Sequence, residues 1–363
     1  MRSPMITVAM LAALAGCQPD TGAAPGSTEV TKSPVTAASE SAADPVSVPA
    51  YQIDRVGLPG EGRGDYIFVD AEGRRIYVTH TALVHILDLD TLEPVAVVSG
   101  FGKAHGVALD RARGHGFASD GVANNVVMFD LTTGERLKEI ITGENPDSIL
   151  TDPASGMVFV FNGTTQDVSV IDPATAEVIK TIPLGDKPEF SRADGQGKVW
   201  VNLEEAAEIA ELDSSTMEVV NRWKLPDCEG AAALAFDAGN RRLFSGCGNH
   251  VLKVVDADNG AIIAELPIGE DADGAEYDAK RHRVYVSNRD GAMTIVRQDG
   301  QDVYSVEQDL PTEEYAKTIA IDPVTDRIFT STADLVWPEA VPGQKLLPDA
   351  APDSFRLLVI SEK

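Results

Sequence analysis

Positive charge is scarce in this chain. Lys and Arg number 30 against 57 Asp and Glu, a formal charge of -27 over 363 residues. A surface this acidic repels nucleic acid and anionic lipid, so neither is an expected partner. Cysteines number three and aromatic residues make up 6%. The chain has no Cys-x-x-Cys-His run for covalent haem, no G-x-S-x-G nucleophile elbow and no phosphate loop. Those gaps remove three familiar chemistries. A carboxylate pair of the glycosidase type survives, because acids are plentiful. Beyond residue 16 no stretch is long and apolar enough to span a bilayer. What remains is a chain that is 43% hydrophobic, enough for a sizeable buried core.

The first 16 residues read as a targeting segment. Arg2 is their only charge, Ile6 to Ala15 is a short apolar run, and Leu14, Ala15, Gly16 and Cys17 close it. Such a run is a secretory signal and too short for a membrane helix. Its ending resembles a bacterial lipobox. The resemblance implies cleavage before Cys17 and lipidation of its thiol, so that the membrane is met only through that anchor. Gln18 follows rather than Asp, which by resemblance to sorted lipoproteins implies the periplasmic side of the outer membrane. Residues 17–50 then read as a lipidated tether. From residue 18 to 50 there is no aromatic residue, no Leu and no Ile. Such a composition cannot bury enough apolar area to offset the entropy of ordering.

From Tyr51 to Lys363 one segment recurs seven times. Its marker is an Asp ending a short apolar run: Asp70, Asp110, Asp152, Asp194, Asp237, Asp278 and Asp322, spaced 40 to 44 residues apart. A second marker, Asp88, Asp130, Asp172, Asp213 and Asp256, keeps the same period. Periods of 40 to 45 with strand patterning indicate propeller blades. The third copy shows the pattern: Ser148–Asp152 as inner strand, Met157–Phe161, Asp167–Ile171 and Glu177–Ile182 following, with turn residues between β-branched runs. The last copy supplies three strands only. Tyr51–Pro59 reads as the missing fourth, so the expected fold is all-β: a seven-bladed β-propeller over 51–363, its ring closed by the N-terminal strand.

The second strands carry a family resemblance. Tyr77-Val78-Thr79-His80, Tyr285-Val286-Ser287-Asn288 and Val158-Phe159-Val160-Phe161-Asn162 resemble the YVTN repeat of bacterial β-propellers, a group that includes surface-layer and periplasmic YncE-like proteins. Together with the lipobox, the resemblance implies a β-propeller lipoprotein of the cell envelope. It is specific for fold and says little about function.

Counting five residues back from each inner-strand Asp gives Asp65, His105, Asp147, Glu189, Ala232, Asp273 and Lys317. Six of these seven are ionisable, and they are expected to line one mouth of the channel, the top. The turns after the second strands add His80, Asp120, Asn162, Glu204 and Asn288 on the same face. Imidazole with carboxylate suits a divalent metal ion, the one candidate cofactor, with Asp65, His80, His105 and Asp147 as its ligand set. The marker aspartates are expected instead to cap turns. A long insertion in the last copy, residues 333–353, emerges on the top face and brings Trp337, Leu346 and Leu347, a lid or partner contact. Cys228 and Cys247 flank one hairpin at heights that match, and outside the cytoplasm they favour a disulfide.

The reading that follows is non-enzymatic: a binding or scaffold module facing the periplasm, with a protein partner or small polar ligand on the top face. Two alternatives stand beside it. One is a metal-dependent hydrolase resembling propeller lactonases, with a cation at the channel mouth. The other is a non-catalytic subunit of a dehydrogenase or electron-transfer complex.

Overall fold

The computed structural model describes residues 49–339 and 346–363. The signal segment, Cys17 and nearly all of the proposed tether lie outside the described residues. The described chain is all strands and turns. Seven four-stranded antiparallel sheets follow one another, each in the order of its sequence except the last. Neighbouring inner strands touch all the way round, and the first touches the seventh, so the sheets form a ring of seven blades.

In the seventh blade the order is Lys317–Ile321, Ile328–Thr332, Arg356–Glu362 and, outermost, Tyr51–Gly57. The last two pair in antiparallel register from Tyr51 opposite Glu362 to Gly57 opposite Arg356. This pairing covers the Arg356–Glu362 strand, which would otherwise be the bare outer edge of the seventh blade. The third blade matches its expected strands to within two residues: Pro146–Thr151, Val158–Asn162, Asp167–Asp172 and Glu177–Pro183.

The core lies between blades. Tyr77, Val84, Ile86 and Val98 of the first blade pack against Val107, Leu109, Ala118, Val127 and Phe129 of the second. The middle strands of each blade are buried on both faces, which is why they read as continuous apolar runs rather than alternating ones. The outermost strands face water on most positions.

The marker aspartates cap turns, as their position dictates. Asp70 accepts the Gly73 N–H at 2.7 Å, Asp152 that of Ser155 at 2.8 Å, Asp194 that of Gln196 at 2.7 Å, and Asp278 that of Lys280 at 2.8 Å. The second marker does the same one hairpin later: Asp130 accepts Thr132 N–H at 2.9 Å, Asp172 accepts Ala174 N–H at 2.8 Å. Several also hold an arginine from the next blade. Asp322 of blade seven takes two hydrogen bonds from Arg74 of blade one, at 2.8 and 2.9 Å.

Cys228 and Cys247 are joined by a disulfide, with Cα atoms 5.5 Å apart, at the top of the fifth blade. The insertion of blade seven forms a short ribbon, Leu335–Val336 against Asp349–Ala350.

The Asp322–Arg74 pair ties the last blade to the first and makes a testable prediction. Burial works against the Asp322 charge, but the Arg74 guanidinium and the turn's own donors hold its pKa down at about 2. A lowered pKa contributes stability above the unfolded value and loses it as pH falls through the folded one. Asp322→Asn should therefore cost about 2 kcal/mol at neutral pH. That difference should vanish between about pH 4 and pH 2, as measured by urea unfolding of both proteins across that range.

Candidate functional site

Every inner strand begins with a bulge. The register against the second strand slips between Gly64 and Ile67, Ala104 and Val107, Pro146 and Ile149, Pro188 and Ser191, Ala231 and Ala233, Ala272 and Gly274, and Lys317 and Ala320. A bulge leaves one residue unpaired and re-aims its side chain. In six blades the five-before-Asp residue falls inside the slip, and in the seventh Lys317 stands at its edge, opposite Ser331. All seven such residues, Asp65, His105, Asp147, Glu189, Ala232, Asp273 and Lys317, line one cavity of about 290 Å³.

The contacts within that cavity run across blades. His105 Nδ1 lies 2.6 Å from Asp65 Oδ2 and 3.3 Å from Asp147 Oδ1. Lys317 Nζ lies 2.9 Å from the other oxygen of Asp65. Asp273 holds Arg289 and accepts the Thr318 N–H at 3.1 Å. Lys187 bridges Glu189 and Glu204. Beneath them Tyr66 and Phe190 pack with ring centroids 4.6 Å apart. Among the described residues these two alone line both this cavity and a second one of about 330 Å³ lower in the channel.

Burial and neighbouring charge set the protonation states. Burial opposes an imidazolium at His105, but the Asp147 and Asp65 carboxylates outweigh it and raise its pKa. Burial likewise opposes charge on Asp65, yet Lys317 and His105 hold its pKa well below the ordinary range. Asp147 goes up, because burial and the Asp65 charge exceed the pull of His105. Glu189 is pushed up to about 8 by burial first and Asp147 second, against the opposing effect of Lys187. The mouth thus mixes a histidine biased toward its charged form, ion pairs and a carboxyl that keeps its proton near neutrality.

A metal could be held by Asp65, His105 and Asp147, whose ligand atoms lie within 4.8 Å of one another. His105 Nε2 is buried with no hydrogen-bond partner, against the Gly121 backbone. The ring is therefore fixed by its Nδ1 side, the side that faces the carboxylates. Lys317, already on Asp65, competes with any cation there.

The other sequence-proposed residues sit elsewhere. His80 is fully buried and does not join the metal set. Its Nε2 meets Gly62 O at 3.1 Å, its Nδ1 meets His85 at 3.3 Å, and its ring stacks on Phe355 at 3.9 Å. Asp120 is turned onto the preceding loop, accepting the N–H groups of Gly102 and Lys103 at 2.7 and 2.9 Å. Asn162 and Asn288 bond within their own blades. These residues end the second strands, and at that position His80 and Asp120 latch the loop entering the inner strand. Thr332 does it through Glu314 O at 2.8 Å, and Cys247 through its disulfide. Glu204 alone of this row reaches the cavity. Trp337 stands beside the mouth, edge-on to Tyr315 at 5.7 Å, while Leu347 of the same insertion lines the cavity itself.

Sequence reasoning missed the cations. Arg63, Lys103, Lys187 and Arg289 also line the cavity. The first three share a register signal, each lying two residues before its rim residue, at Asp65, His105 and Glu189.

Solved structures with this architecture include the hydrazine synthase of Kuenenia stuttgartiensis, with TM-score 0.66 and 16% identity over 75% of this chain and 92% of that one. The WD40 repeats of RRP9 superpose with TM-score 0.71 and 9% identity, covering 87% of this chain and 99% of theirs. U3-55K gives 0.69 and 10%, covering 84% and 98%. Likeness at such identities is one of fold. No protein-family model matches the chain, and no curated protein matches it in sequence.

The raised pKa of Glu189 has a consequence for stability. The folded protein keeps a proton that the unfolded chain releases above about 4.5, so stability falls as pH rises from there to about 8. Glu189→Gln, which cannot ionise, should remove that part of the fall. Denaturant titrations at pH 5 and pH 9 should show the variant gaining on the parent by at least about 1 kcal/mol at the higher pH. An equal pH response in both proteins would contradict it.

Proposed function

We propose that this chain is a non-catalytic ligand-binding β-propeller of the bacterial cell envelope, similar to the YVTN-repeat group, with its ligand in the top cavity. The observation that carries the reading is the bulge repeated in seven blades. It brings seven register-equivalent residues to one mouth, and six of them are ionisable. Turn capping and blade packing do not require this, since the marker aspartates serve those needs at the far ends of the same strands. A concave site with converging polar groups is the ordinary form of a small-ligand site. The insertion, with Trp337 exposed and Leu347 at the mouth, supplies a second surface for a protein partner. The Leu14-to-Cys17 motif and the Cys228–Cys247 disulfide both support a lipid-anchored, oxidising location.

The metal-dependent hydrolase reading has one observation in its favour, the Asp65, His105 and Asp147 cluster. Such a cation would act as a Lewis acid at the mouth. Lys317 weighs against it, because an ammonium 2.9 Å from a ligand carboxylate already balances that charge.

Thermal-shift titration with small polar compounds, and separately with zinc, calcium and manganese, distinguishes the two. The binding reading expects an organic ligand to raise the melting temperature in the presence of EDTA. Asp147→Asn should weaken that ligand about tenfold. Stabilisation by metal alone, abolished in His105→Gln, would move the assignment to the hydrolase. No stabilisation by either class would remove both.

A further inference from the structure

Two cations at the top mouth have no acidic partner among the described residues, and they share a cleft. The top cavity opens sideways between the first two blades into a space of about 320 Å³, lined by Arg63, Lys103 and Lys317 together with Asp65, Thr81 and Asp349. Lys317 is engaged with Asp65. Among the described residues, no carboxylate pairs with Arg63 or with Lys103. In a chain with nearly two acids per base, two cations left unpaired at one concavity are an exception.

Both are held in place by their backbones. Arg63 follows Gly62, whose φ of +93 places it in the region that favours glycine, and Thr81 Oγ1 donates to Arg63 O at 3.0 Å. Gly64 must also be small, since a Cβ there would lie 2.5 Å from the Phe355 ring. Lys103 is fixed through the Asp120 carboxylate on its N–H and through the Gly121 N–H on its carbonyl, both at 2.9 Å. Arg63 is steadied from behind by an aromatic face: its guanidinium lies over Tyr315, 5.6 Å from the ring centroid, and Tyr315 in turn meets Trp337. A π-face orients the guanidinium without occupying its N–H donors. Those donors remain available to a planar oxyanion, which they suit as a fork.

We propose that the ligand of the top cavity carries an oxyanion, a carboxylate or a phosphate group, seated between Arg63, Lys103 and Lys317 in this side cleft. The inference rests on the ligand-binding reading above and specifies the chemistry of that ligand. The cleft holds three cations against two acids, a local balance of +1 where the whole chain carries -27. Asp65 is occupied by Lys317 and His105, and Asp349 is exposed to water. A concave cationic site on an acidic body concentrates one kind of anion contact at one place. The remaining groups of the cavity, Asp147 and Glu189 among them, face whatever polar portion of the ligand extends inward.

The test is calorimetric titration of the purified propeller with succinate, citrate and inorganic phosphate, and with glucose and putrescine as neutral and cationic probes. At least one oxyanion should bind with a dissociation constant of about 1 mM or tighter, and more weakly at about 0.5 M salt than at 0.05 M. The carboxylate and phosphate arms separate the two sources of oxyanion. Arg63→Ala and Lys103→Ala should each weaken binding about tenfold, and Arg63→Lys less than Arg63→Ala. Both side chains are at the rim, and unchanged melting temperatures of the variants would confirm that the fold is not the cause. Oxyanion binding that is indifferent to the double variant would overturn the proposal. So would binding of glucose or putrescine with none of the oxyanions, a result that leaves the ligand-binding function standing. Failure of every probe would count against both.

Discussion

Pairing of the N-terminal strand with the C-terminal one, seven residues against seven, is the constraint on which the rest of the molecule depends. Without it the seventh sheet has three strands and a bare outer edge, and the two ends of the propeller are not tied into one blade. With it, each inner strand faces a common axis and every bulge points at the same small volume. The cavity is therefore not the property of any blade. Asp65 of blade one is held by His105 of blade two and Lys317 of blade seven, partners 40 and 252 residues away in sequence. Joining the ends brings the first and last of these side chains within reach of each other.

The electrostatics of this body are divided by height. Acids at the far end of the inner strands are consumed by turns and by arginines of the neighbouring blade, as at Asp322 and Arg74. At the top, Asp65, Asp147 and Glu189 are buried among cations, and burial and neighbouring charge move their pKa values down for Asp65 and up for Asp147 and Glu189. The same residue type thus does two kinds of work, one architectural and one available to a ligand, and composition alone cannot separate them. Exposure does not separate them either, since Asp70 and Asp152 are as buried as any rim residue.

Much of this could be read from the sequence, for a physical reason: a repeat states the same sentence seven times. Blade count, closing strand, turn aspartates and the rim row all followed from register. Reading failed where the copies stop agreeing. The loop position holding Arg63, Lys103 and Lys187 is occupied by Asn145, Gly230, Asp271 and Tyr315 in the other blades, so the signal that three copies share is broken in four. The row ending the second strands failed differently. His80 and Asp120 stand on the expected face, but side-chain direction at a strand end depends on what lies opposite. Opposite His80 is Gly64, whose missing side chain leaves room for Phe355 to stack on the imidazole. The YVTN-like repeats remain a resemblance, since the chain shares fold but little identity with the propellers it superposes on.

The aromatic pair under the rim has one more implication. Among the described residues only Tyr66 and Phe190 line both the upper and the lower cavity, so one aromatic pair is the floor of the first and the roof of the second. An occupant of the upper cavity would therefore lie between that aromatic floor and the blade-seven insertion, whose Leu347 stands at the lip.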